Sequence, residues 1–295
     1  MQLTKILKSV TAALLLCVTT QASADEIVVG GKNFTEQQIM TAMTSQYLQA
    51  KGFEVDKRAG MGTGVLRKAQ ENGQVDLYWE YTGTALINFN KIEERMSAAE
   101  GYLEVKKLDA KIGLVWLNPS KANNTYALAM QRDEAKAKGI KTLSDLSKVM
   151  STDPELLLAC NAEFAARADG LKPLQEAYGF EFDRAHLKRM DSGLTYLALK
   201  ERQVDVALVF ATDGRIPAFD FVTLEDDRNY FPDYAMTPVI RADTLKNNPA
   251  LEALLNDLSS RLDDQVMSRL NAKVDVERQT IEDVAQGFLK SQDLI

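Results

Sequence analysis

The sequence predicts an α/β protein of two lobes, each a central β-sheet flanked by helices, with a ligand cleft between the lobes. Three observations predict it. The chain opens strand, helix, strand, helix, strand, the order of an open α/β sheet. Short segments of this first half recur about 130 positions later. A chain of 295 residues also exceeds what one hydrophobic core usually holds, so two lobes are the default.

The first 24 residues read as an export signal. Lys5 and Lys8 precede the apolar run Val10 to Val18, and the stretch ends in Ala22-Ser23-Ala24, a small-x-small cleavage pattern that starts the mature chain at Asp25. That run is too short to remain as a membrane-crossing helix, and no later stretch approaches the roughly 20 apolar residues that spanning needs. Cys17 follows Leu16, where a lipid-anchored protein would carry a small residue, so lipidation is not expected.

The strand Ile27-Val28-Val29 leads through Gly30-Gly31-Lys32-Asn33-Phe34 into a helix, with Thr35 and Gln38 spaced as a capping box. Ile39, Met43 and Tyr47 recur at helical spacing beside Ala42 and Ala50, and Lys51-Gly52 is the stop. A strand (Phe53 to Arg58), a glycine-rich loop (Gly60, Gly62, Gly64), a helix (Val65 to Asn72) and a strand (Val75 to Tyr81) follow. The loop lacks the lysine of a phosphate-binding loop and reads as a turn.

Gln74 to Tyr81 has its counterpart in Gln203 to Phe210, and Gly31-Lys32-Asn33-Phe34 in Asn161-Ala162-Glu163-Phe164 after the strand Leu156 to Ala159. Two similar lobes then face each other across a cleft at their strand ends, where open sheets bind ligands. The strand Thr125 to Met130 runs into a charged segment, Gln131 to Lys141, and Asp226 to Pro238 holds turn residues and two prolines; the hinges are expected there. The segment from about Val239 carries leucines at helical spacing (Leu251, Leu254, Leu255, Leu258) and is expected to rejoin the first lobe. The expected division is 25–130 plus 235–295 for lobe I and 131–234, inserted, for lobe II, a plan that closes about paired hinges.

Without Lys5 and Lys8 the mature charge is near −9, which repels nucleic acid and anionic lipid. Cys160 is the one cysteine left after cleavage, so no internal disulfide can form. One histidine, His186, and one mature cysteine cannot make the usual zinc sets, and neither has a nucleophile partner motif, so no metal, cofactor or catalytic residue is expected. Aromatic residues at strand ends are more informative: Tyr81, Tyr126 and Phe210 each lie where a strand meets a loop, Tyr196 precedes a helix, and Tyr234 lies in the second expected hinge.

From about Ile27 to Phe288 the chain resembles the substrate-binding components of osmoprotectant importers, which take up glycine betaine, choline and related compounds and belong to the type II periplasmic binding proteins. The resemblance rests on Lys32-Asn33-Phe34-Thr35-Glu36, Glu80-Tyr81-Thr82-Gly83-Thr84, Asn124-Thr125-Tyr126-Ala127, Gly193-Leu194-Thr195-Tyr196, Thr212-Asp213-Gly214-Arg215-Ile216 and Phe231-Pro232-Asp233-Tyr234 with Pro238. It implies that Tyr81, Tyr126, Tyr196 and Tyr234 cage a trimethylammonium group, with Phe210 as a wall or as packing. A quaternary ammonium has no N–H to donate, so ring faces and apolar contact must hold it.

The ligand's other end would meet Lys32 and Thr84. The family is expected to carry glutamine at the Lys32 position, and this departure tilts the expectation to a zwitterion, glycine betaine ahead of choline or carnitine. Arg167, Asp169 and Asp213 are expected to stabilise loops or lobe contacts rather than touch ligand. The implied protein is a periplasmic monomer that hands its ligand to an ABC permease and ATPase of the inner membrane. The alternatives are a binding protein for an amino acid or other non-quaternary zwitterion, and an exported hydrolase.

Overall fold

A computed structural model describes residues 26–295; the export signal expected in residues 1–24, with Cys17, lies outside them. The ten strands, β1 (Ile27–Lys32), β2 (Val55–Met61), β3 (Leu77–Tyr81), β4 (Leu114–Trp116), β5 (Tyr126–Gln131), β6 (Leu158–Cys160), β7 (Leu187–Arg189), β8 (Val206–Phe210), β9 (Phe221–Thr223) and β10 (Met236–Arg241), form two five-stranded sheets. Their orders are β2-β1-β3-β10-β4 and β7-β6-β8-β5-β9.

The two sheets share one plan. In each the three strands at one side are parallel and the fourth is antiparallel: β10 beside β3 in the first, β5 beside β8 in the second. The recurrence in the sequence maps onto this equivalence, since β3 and β8 are both central strands, and β1, ending in Lys32, leads into Asn33-Phe34 as β6 leads into Asn161-Ala162.

The plan corrects three expectations. Tyr126–Gln131 belongs to the second sheet, not the first, because Leu128, Ala129 and Met130 are buried against β8 in the register Tyr126↔Phe210. The chain therefore crosses before Tyr126, and the charged stretch after β5 is a helix of the second lobe, Arg132–Lys138, rather than a hinge. The segment from Val239 is not helical at its start: Met236–Arg241 is the antiparallel strand that completes the first sheet, and the leucine-spaced helix Ala250–Ser260 follows it.

The outward and return crossings lie side by side. Asn123 and Ala235 form an antiparallel bridge, and the Tyr234 N–H donates to Asn123 Oδ1 at 2.9 Å. The return crossing falls within the hinge expected at Asp226 to Pro238.

The first helix, Thr35–Ala50, buries Ile39, Met40, Met43, Tyr47 and Leu48. Its capping box does not form: Phe34 occupies the cap position, and the Thr35 hydroxyl donates instead to Asp275 Oδ1 at 2.9 Å on the helix Asp264–Asp275. The last two helices, Asp264–Asp275 and Ile281–Ser291, pack on Thr35–Ala50 and so return the C-terminus to the first lobe.

Gly214, just beyond β8, touches this returning helix. A Cβ there would lie 2.5 Å from Ser268 O and from Ala272 Cβ, so only glycine lets the second lobe approach so closely.

Candidate ligand-binding site

The last residues of β3 and β8, Tyr81 and Phe210, both line one cleft of about 610 Å³. Tyr81 ends β3, and its Cα partner across the ladder is Met236, two residues after Tyr234. Phe210 ends β8 opposite Tyr126. The same local rule in each lobe, an aromatic at the end of the central strand and another entering the antiparallel neighbour, brings four rings to one place. Phe34, from the turn after β1, is a fifth.

The rings touch as a group. Phe34 stacks on Phe210 with centroids 5.3 Å apart and lies 6.3 Å from Tyr81; Tyr126 lies 5.4 Å from Phe210 and meets Tyr234 edge-on at 5.6 Å. Gly83 makes room for the last of these, because a Cβ on it would come within 2.8 Å of the Tyr234 ring and of Asp233 O. Thr84 lines the cleft from the start of a π-helical turn, Thr84–Phe89.

Tyr196 is elsewhere. It is fully buried in a separate apolar cluster with Val209 and Phe221, outside the cleft lining. Its hydroxyl accepts the Phe210 N–H at 2.8 Å, and the Arg215 guanidinium lies 3.9 Å over its ring, between it and the cleft. Tyr196 therefore fixes the backbone at Phe210 and forms no wall.

Lys32 does line the cleft, but it is neither solvent-facing nor a lone charge. It is 2 % exposed, its ammonium pairs with Glu80 Oε1 at 2.5 Å, and it sits 4.9 Å over the Tyr81 ring. Glu80 is further held by the Tyr81 N–H at 2.7 Å and the Tyr78 hydroxyl at 2.9 Å. With its charge matched, Lys32 does not by itself repel a ligand bearing only positive charge, so it no longer argues for a zwitterion over a cation.

Arg167 spans the lobes. It forks onto Asp169 with two bonds of 2.6 Å, donates to Thr84 Oγ1 at 3.2 Å and lies 5.2 Å over the Tyr126 ring. Asp169 also accepts from the Tyr234 hydroxyl at 2.6 Å and from Asn88 at 3.0 Å. Burial alone would raise the Asp169 carboxyl pKa, but the bonds and charge of Arg167, helped by Tyr234 and Asn88, hold it below the usual range. Arg167 and Asp169 thus tie Thr84 and Tyr234 to the second lobe, and Arg167 also lines the cleft.

Glu36 was not among the expected site residues. It is 2 % exposed on the first turn of Thr35–Ala50 and lines the cleft. Oε1 accepts from the Tyr81 hydroxyl at 2.7 Å and Asn124 Nδ2 at 2.8 Å; Oε2 accepts from the Thr212 hydroxyl and from Asn271 Nδ2 at 3.3 Å. These donors come from the first lobe, the outward crossing, the second lobe and a C-terminal helix. Burial raises its pKa, against the four hydrogen bonds.

Cys160 is fully buried in the second lobe and outside the cleft lining, and burial pushes its thiol up to about 11. His186 pairs with Asp183 and Glu155 near the surface. Among the described residues no group of histidine, cysteine and carboxylate side chains is placed to hold a metal, and no helix is long and apolar enough to cross a membrane.

Residues 25–291 match the family described as the substrate binding domain of the ABC-type glycine betaine transport system. A glycine-betaine-binding protein of Pseudomonas aeruginosa is 45% identical over 280 residues, covering 93% of this chain and 90% of that one. The glycine betaine-binding protein YehZ of Escherichia coli is 33% identical over 279 residues, 92% of each chain. The solved structure of apo YehZ from Escherichia coli superposes with a TM-score of 0.68, covering 92% of this chain and all of that one at 32% identity. A glycine betaine/carnitine/choline ABC transporter structure superposes with a TM-score of 0.75 at 27% identity, covering 91% of this chain and 99% of that one. With two sheets built to one plan, a cleft between them and this degree of likeness along nearly its whole described length, the chain belongs to the family of substrate-binding domains of ABC-type glycine betaine transport systems.

Proposed function

We propose that this chain captures glycine betaine in the cleft, with Phe34, Tyr81, Tyr126, Phe210 and Tyr234 around the trimethylammonium group, and delivers it unchanged to an inner-membrane permease. The observation that carries the reading is the convergence of five rings from both lobes and the return crossing on one cleft. A methylated ammonium is less strongly hydrated than a primary one, and a desolvated ring face contributes about 2 kcal/mol. The betaine carboxylate would meet the Thr84 hydroxyl and the cationic heads of Lys32 and Arg167, which retain donors beyond those used on Glu80 and Asp169.

Binding is then coupled to closure, because the walls belong to different lobes and only a closed cleft presents them together. The protein would act after export, with residues 1–24 removed, as a monomer on the outer side of the inner membrane.

Calorimetry with purified mature protein tests this. Glycine betaine should bind, excess glycine or proline should not displace it, and the ligand released on denaturation should be chemically unchanged. Displacement by glycine would favour a primary-ammonium site, and conversion of the ligand would favour a hydrolase.

A further inference from the structure

Charge in the cleft is unevenly matched. Arg167 faces Asp169 and Glu163, and Arg215 faces Asp213 and Asp275, so each arginine meets two carboxylates. Lys32 is taken by Glu80. At the rim Arg189 and Asp191 are both exposed to solvent, where charge is screened. Glu36 differs from all of these carboxylates: among the described residues no lysine, arginine or histidine comes within ion-pair distance of it, and all four of its partners are neutral donors. Two donors to each oxygen is the environment of an ionised carboxylate rather than of an acid, which would need an acceptor for its own proton.

A buried anion without a cation is costly unless something supplies the missing charge. Glu36 sits where a ligand can supply it. Its Oε1 holds the hydroxyl of Tyr81, a cage ring, and a phenol that donates to a carboxylate carries more electron density on its face than a free one. Lys32, Glu80 and Glu36 together leave one net negative charge around that ring. We propose that Glu36 is the specificity-determining residue of the cleft: it supplies the counter-charge that makes the ring cage select a fixed positive charge over an uncharged group of the same shape. This rests on the quaternary-ammonium reading and deepens it, because ring faces alone also accept apolar groups.

The shape-matched probe is 3,3-dimethylbutanoate, in which carbon replaces the quaternary nitrogen of glycine betaine and the carboxylate is kept. Calorimetry on wild type, Glu36→Gln and Tyr81→Phe gives the ratio of the two dissociation constants for each protein. Wild type should prefer glycine betaine at least tenfold. Glu36→Gln should cut that preference at least fivefold, weakening the betaine while leaving the carbon analogue within about twofold.

Tyr81→Phe keeps the ring and removes its bond to Glu36; it should cut the preference by a smaller factor, and it serves alone if Glu36→Gln does not fold. Equal weakening of both ligands, or an unchanged ratio in the variants, would assign Glu36 a purely structural role and overturn the inference while leaving the functional reading intact. Wild type that binds no glycine betaine would end the functional reading and the inference with it.

Discussion

Tyr126 and Tyr196 show what a residue's identity does and does not reveal. Both are tyrosines at the edge of a predicted element in a segment of the family pattern, yet one faces the cleft and the other is sealed under Arg215. Orientation is set by the three-dimensional neighbour, and sequence spacing does not report it. Tyr126→Ala should therefore weaken glycine betaine binding at least tenfold, about 1.4 kcal/mol, with little change in which ligands bind. Tyr196→Phe should leave affinity within about twofold and cost roughly 1 kcal/mol in denaturant unfolding, since it removes the part-buried bond from the Phe210 N–H. The pair measured side by side separates wall from support. Glu36 and Phe34 stood in a motif recognised as a block, but nothing local marks Glu36 as buried: a glutamate in a first helical turn is ordinarily an exposed partner of the helix dipole.

Elements were legible where their signal is local. The parallel strands β1, β2 and β3, the first helix and the near-repeat of β3 in β8 are all visible as periodicity or recurrence. Of the two antiparallel strands, β5 reads in the sequence as a strand but of the wrong lobe and β10 reads as helical, because each joins a sheet on the far side of a crossing and its membership depends on partners about 80 and 160 residues away. They matter most to the site, since their registers set Tyr126 opposite Phe210 and Tyr234 beside Tyr81. Gly83 is the pinch between the turn after β3 and the return crossing. Gly83→Ala should push Tyr234 and the crossing by several tenths of an ångström. We expect a loss of affinity of about tenfold, larger than its effect on the melting temperature, when calorimetry and thermal unfolding are compared on one preparation.

At the scale of the whole molecule, ligand binding, closure and stability are one linked equilibrium. A ligand at 100 times its Kd adds about 2.7 kcal/mol to the folded state, which for a chain of this size corresponds to roughly 5–10 °C in melting temperature. Two carboxylates near the cleft give stability a pH dependence of definite sign, and one of them passes it to the ligand increment. Asp169 is held below its ordinary pKa, so its contribution is present above about pH 4 and is lost as pH falls through its folded value; from about pH 5 upward it is constant. Glu36 is the opposite case. Burial raises its pKa, so the ligand-free fold binds that proton more tightly than the unfolded chain, and for this group stability declines as pH rises through the raised value. A cation in the cage relieves that penalty by favouring the ionised form. The melting increment from glycine betaine should accordingly grow as pH rises from the ordinary carboxylate range through the raised value of Glu36. Tyr81, the titratable side chain bonded to Glu36, stays protonated throughout, because burial and the Glu36 charge raise it well above its usual value. Asn124, Thr212 and Asn271 do not titrate, but Asp275, further along the same helix as Asn271, is also raised by burial, despite Arg215. Glu36→Gln separates the two carboxyls: an increment that becomes flat with pH assigns the effect to Glu36, whereas one that still grows assigns it to Asp275 and removes Glu36 as the charge that the ligand answers.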